Sequence, residues 1–218
     1  MSKLSAASFG LLENTAIVTI NRNAQAGQTY AQFHCSGTKE PREIVRAFIA
    51  AALKFTHKHV SGFSEICGIP RTALTCLLNY GSRTSVGDAL TSTQTLIQIA
   101  HACGLELAIT ATPEDAKISQ LTKVVEPQIV VLPVITLSPS PEDMIERAKA
   151  FGGFFRRLRG EMKQSGYGGL IGTCPVSLRT SERAHQNHKC ITPQLTTVLR
   201  HQSAKYKITL ELRRPTPP

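Results

Sequence analysis

"FSEICGIPRTALTCLLNYG", Phe63 to Gly81, sets a glycine in mid-stretch, a proline two residues later, and leucines at helical spacing beyond it. Gly68 can take the left-handed conformation that ends a helix. Pro70 pre-sets the first turn of the next helix, where its missing N–H leaves no bond unmade. The stretch predicts two short helices, about Gly62–Cys67 and Arg71–Tyr80, joined by a tight turn. On the second helix Leu74, Leu77 and Leu78 share one side. Thr72, Cys76 and Asn79 share the other, flanked by Arg71 and Thr75.

Working outward, Ile44, Phe48, Ala51 or Ala52 and Phe55 make one stripe, which predicts a preceding helix over Arg42–His57. "GTKEPRE" (Gly37–Glu43) reads as the turn that feeds it. Downstream, a polar loop ends at Ser92 or Thr93, either of which can N-cap a helix with Leu96, Ile99, Ala100 and Cys103 on its apolar face. Gly104 is placed to stop that helix, and "LELAIT" (Leu105–Thr110) alternates as a strand.

A helix that serves only a core would show solvent a charged face. The outer face of Arg71–Tyr80 is short, hydrogen-bonding and uncharged beyond Arg71. Such a face lets a helix lie deep in a DNA major groove, with Thr methyls against thymine and Asn against adenine edges. "FSEICGIPRTALTCLL" resembles the helix-turn-helix of the phage-repressor-like (XRE-type) DNA-binding domains, and "TQTLIQIAHACGLELAIT" resembles that family's closing helix and the strand of its antitoxin-like branch. The resemblance covers about residues 42–110. It implies that Arg71, Thr72, Thr75, Cys76 and Asn79 face the groove, and that Lys58, Ser61, Ser64 and Arg83 lie near phosphate. The chain departs from the family in a longer loop, Gly81–Thr91, and in Pro70, which stands where Ser or Thr commonly caps the helix.

Charge points the same way. The net charge is +10, and residues 151–218 hold 12 Lys/Arg against 3 Asp/Glu. A localised basic excess is a footprint for polyanions, most often nucleic acid. "FFRRLRGEMK" (Phe154–Lys163), with Arg156, Arg157 and Arg159, reads as a phosphate-binding surface rather than a membrane face, since it lacks Trp and a long apolar side.

Elsewhere "TAIVTINR" (Thr15–Arg22) and "TYAQFHC" (Thr29–Cys35) suggest a small hairpin, and "TPED" (Thr112–Asp115) a helix start. "EPQIVVLPVITLSPSPED" (Glu126–Asp143), broken by four prolines, suggests an edge strand or linker. A basic helix is expected over Pro141–Gln164, a flexible stretch over "GYGGLIG" (Gly166–Gly172), a strand over "KYKITLEL" (Lys205–Leu212) and a disordered tail in "RRPTPP". No internal repeat is legible. Cys174, His185, His188 and Cys190 are zinc-competent in type, but they lack a knuckle spacing and read as loop residues. No catalytic motif or carboxylate cluster stands out, and no cofactor is implied. No run of residues is long and apolar enough for a transmembrane helix, no signal peptide is legible, and cysteine usage fits a reducing cytoplasm.

The expectation is a mainly α chain with minor β, a helix-turn-helix bundle plus a small α+β C-terminal region. Residues 1–40 form an extension with a candidate β-hairpin, 41–112 the DNA-binding domain, 113–140 a Pro-rich linker or edge strand, and 141–218 the basic region. The function expected is that of a non-enzymatic, cytoplasmic, sequence-specific transcriptional regulator, bacterial or from a mobile element, that binds double-stranded DNA as a homodimer without touching membrane. Strand 105–110 or 205–212 would supply the pairing edge. The alternatives are an antitoxin-like protein that also binds a partner protein, and a plasmid replication or partition factor.

Overall fold

The C-terminal strand, one of the two candidates for a pairing edge, lies at the middle of the sheet. A computed structural model describes residues 18–35, 41–78, 92–114, 122–124, 126–132, 140–186 and 192–216. In chain order the strands are β1 (Val18–Ile20), β2 (Thr29–His34), β3 (Glu106–Pro113), β4 (Gln128–Leu132) and β5 (Tyr206–Arg213). They form one five-stranded sheet, ordered β1-β2-β5-β3-β4, and every neighbouring pair is antiparallel. The helices are α1 (Pro41–Thr56), α2 (Val60–Cys67), α3 (Arg71–Leu78), α4 (Thr93–Ala102), α5 (Pro141–Arg159), α6 (Gln164–Leu170), α7 (Pro175–Glu182) and α8 (Leu195–Leu199), the last continued by a 3-10 turn over Arg200–Ala204.

The fold class is therefore α+β, and the expectation of a mainly α chain with minor β is overturned. Strands make up 20% of the described residues and all belong to one sheet. The physical reason is that the sheet is assembled from strands far apart in sequence. Each strand's own pattern shows which face is apolar but not which strand lies beside it. Ala31, Phe33, Leu107, Ile109, Ala111, Val130, Leu132, Ile208, Leu210 and Leu212 are buried on one face, in a single core with the helices. The opposite face is polar around Glu211, whose carboxylate accepts from Thr29 (3.0 Å), Gln32 (3.2 Å) and Arg213 (2.7 Å).

The element order also repeats, which the sequence did not disclose. A leading unit runs β2-α1-α2-α3-α4-β3 and a trailing unit runs β4-α5-α6-α7-α8-β5. The match extends to backbone conformation. Gly68 (φ 66°) and Gly172 (φ 64°) both turn the second helix of a unit into its third, and Gly104 (φ 64°) and Lys205 (φ 58°) both turn the fourth into the closing strand. It extends to burial as well, with Phe48 and Phe151, Phe63 and Tyr167, and Leu74 and Leu178 as counterparts in the core. Three of these five pairs keep the same residue (Gly68 and Gly172, Phe48 and Phe151, Leu74 and Leu178), but they stand singly along the units, so the relation is not legible as a repeated stretch of sequence.

The two units face each other about an approximate twofold axis. β3 and β5 pair antiparallel from Glu106↔Arg213 to Pro113↔Tyr206, and Ile109 stands opposite its counterpart Leu210. Ser92 and Gln194, which precede α4 and α8, also pair across the axis as an antiparallel bridge. The opening strands are exchanged: β2 lies beside the other unit's β5, and β4 beside the other unit's β3. Both strands expected to offer a pairing edge, β3 and β5, are interior and have neighbours on both sides.

Other local expectations change for identifiable reasons. The helix expected over Pro141–Gln164 divides at Gly160 (φ 55°) into α5 and α6. Its start carries a full capping box, with Ser140 Oγ accepting from Asp143 N–H (3.2 Å) and Asp143 Oδ2 from Ser140 N–H (3.0 Å). "GYGGLIG" is not a flexible stretch but lies largely within α6, because Tyr167 is buried and Gly168 packs where a Cβ would stand 2.7 Å from Thr173 O. Thr112 and Pro113 finish β3 instead of opening a helix. Of the expected tail, Arg214 is tied to the body: its C=O accepts from Gly27 N–H (2.9 Å) and its N–H donates to Gln28 O (3.0 Å).

Candidate nucleic-acid interface

The turn between α2 and α3 is built by Ser64, Gly68 and Ile69. Gly68 N–H donates to Ser64 O (3.0 Å), and Ser64 Oγ donates to Ile69 O (2.7 Å). Buried Ile69 anchors the turn in the core. Pro70 precedes α3, and its carbonyl accepts from Leu74 N–H (3.1 Å), the first bond of the new helix. The turn is thus held from within, and α3 starts without a side-chain cap.

On α3 the division of faces is sharp. Ala73, Leu74, Leu77 and Leu78 are buried; Arg71 and Thr72 are exposed; Thr75 and Cys76 are half-buried beside them. Thr75 Oγ1 donates to Arg71 O (2.8 Å), so its methyl rather than its hydroxyl is free to face outward. Lys58, just before α2, and Ser61, in its first turn, are exposed, as are His57 and His59. Ser64 is half-buried and committed to the turn. Asn79 and Arg83, expected at the groove and near phosphate, lie outside the described residues.

The basic residues of α5 do different things. Arg156 and Arg157 are exposed, with single bonds to Glu182 O and Ile129 O, both 3.3 Å. Arg159 instead turns inward. Its side chain is 17% exposed and forms an ion pair at 2.6 Å with Glu182, itself 3% exposed. Its Nη1 also donates to Met162 O (2.6 Å), and Gln164 donates to the same carboxylate (2.9 Å). Its bonding capacity is used in joining α5 to α7, so its place is in the framework rather than at a phosphate.

The zinc-competent set is not assembled as a site among the described residues, where no group of three or more His, Cys, Asp or Glu could hold a metal. The stretch expected to be loop contains α7, with Cys174 as its N-cap accepting from Ser177 N–H (3.4 Å). His188 and Cys190 lie outside the described residues. Cys35 and Cys103 are pushed up to about 12 by burial, the inert behaviour of core thiols. No helix among the described residues is long and apolar enough to cross a membrane.

The feature sequence reasoning missed is α7 itself. Its signal was the order glycine, short turn, then a leucine at the position Leu178 shares with Leu74. Comparison with protein-family models, with curated proteins and with solved structures finds no match.

Proposed function

We propose that this chain is a cytoplasmic, sequence-specific DNA-binding regulator of transcription that reads the major groove with α3. The observation that carries the reading is the division of α3. Its leucines are buried against the fold, and its outer face presents Arg71, Thr72, Thr75 and Cys76 at the end of a fixed turn. Short side chains of this kind let the helix backbone approach base edges closely. The basic balance of residues 151–218 supports the same partner, because neutralising phosphates releases counterions and drives association.

The test separates base reading from phosphate contact. Thr72→Ala and Thr75→Ala are expected to cut preference for the selected sequence about tenfold or more while keeping salt-dependent background binding. Arg156→Ala and Arg157→Ala are expected to weaken all sequences alike and to lower the salt slope by about 1 each. Binding titrations on specific and scrambled duplexes at several salt concentrations distinguish the two. Equal behaviour of both sets would remove α3 as the reading element.

A further inference from the structure

We infer that the chain carries a second DNA-reading helix, α7, and that one polypeptide therefore reads two half-sites of unlike sequence. The inference rests on the reading of α3 above and extends it across the approximate twofold axis. α7 occupies in the trailing unit the place of α3 in the leading one. It follows a left-handed glycine, Gly172 in place of Gly68, and buries Leu178 where α3 buries Leu74.

The outer face of α7 is open. Val176 is 73% exposed, and Ser177, Arg179 and Thr180 are exposed with it. Matched from the glycine forward, Val176, Arg179 and Thr180 stand where Thr72, Thr75 and Cys76 stand on α3. An exposed valine at that point has no packing role, but its methyls suit a thymine methyl, and an arginine suits a guanine edge. The two reading faces thus carry different chemistry, so the half-sites they select differ. Arg183 is exposed just beyond α7 and Arg156 at its C-terminal end, which gives this face the positive charge that a phosphate backbone complements.

The placement of the two faces has a fixed origin. Paired reading helices need a rigid relation to match successive turns of the duplex. Here the relation is set by β3 against β5 and by the Ser92–Gln194 bridge, both within one chain. The second helix that a homodimer would bring is already present, and the strands through which a homodimer was expected to form are used in holding it.

The test is a selection from random duplexes with the full-length chain at physiological salt, followed by sedimentation of the chain with the winning duplex. The expected result is a site with two unlike blocks at a fixed separation, bound by one chain. Thr72→Ala with Thr75→Ala should blur one block about tenfold to a hundredfold, and Val176→Ala with Arg179→Ala and Thr180→Ala the other. A single block untouched by the α7 changes would overturn the second reading helix and leave the first standing. Two identical blocks bound by two chains would overturn it as well, in favour of a homodimer. Loss of all sequence preference in the unaltered chain would remove the α3 reading and this inference together.

Discussion

His201 is the most exacting single residue in the trailing unit. It is 1% exposed, stacks on Phe155 with ring centroids 5.0 Å apart, and meets the hydroxyl of Tyr167 through Nδ1 at 2.7 Å. Burial pushes it down to about 3 from its ordinary 6.5, so the folded protein holds it neutral. As pH falls from about 6.5 toward 3, the unfolded chain takes up a proton that the folded chain refuses, and stability declines across that window. The contribution is at most about 1.4 kcal/mol per pH unit. In His201→Gln, the urea midpoint should fall at neutral pH because the ring stack is lost, and its further decline between pH 6 and pH 4 (a window taken inside the titration range) should be shallower than in the unaltered protein. Parallel profiles would place the acid sensitivity elsewhere. Arg159 carries the complementary lesson. As a letter in a basic run it was indistinguishable from Arg156 and Arg157, and only the position of Glu182, brought close by a turn and two helices, sets it apart.

At the scale of elements, α5 and α7 approach closely at Gly152, where a Cβ would lie 2.5 Å from Glu182 O. That contact is with backbone at the end of a helix whose last residue is tied by Arg159, so it cannot yield cheaply. Gly152→Ala is expected to destabilise the fold by about 1–3 kcal/mol, as overpacking does, readable as a lowered denaturant midpoint with an unchanged slope. An increase in stability would mean the helices can part, since alanine otherwise favours a helix over glycine. This region also shows why some elements were legible and others not. α1 to α4 each announce themselves by an apolar stripe or a turn residue: Phe48 and Phe55, Gly68 and Pro70, Ser92 and Gly104. α6 contains Gly166, Gly168 and Gly169 and no stripe of its own; it is helical because Tyr167 is gripped by the core, a tertiary cause with no local sign.

At the scale of the whole molecule, the exchanged strands and the single core make the two units interdependent. β2 and β4 each complete the other unit's side of the sheet, and the buried residues of both belong to one cluster. Chemical denaturation should therefore show one transition, coincident by far-ultraviolet circular dichroism and by tyrosine fluorescence. Two separated transitions would mean that the units fold independently. The interdependence was beyond sequence reading because it resides in pairings such as Leu107↔Leu212 and Phe33↔Leu210. The strands β3 and β5 were legible as alternating runs; that they are neighbours, and that they relate two similar halves, was not.

The pairing of Ile109 with Leu210 has one more consequence. Two separate chains joined along such strands come apart on dilution, and the paired fraction rises steeply with the amount of protein made. Here the joint closes within one molecule, at an effective concentration set by the connecting chain rather than by the cell. The joint between the two halves is therefore made whatever the amount of protein present, and neither β3 nor β5 is left to be exchanged with another copy. Because neither half must match a copy of itself, each is free to drift in sequence while the joint between them is kept.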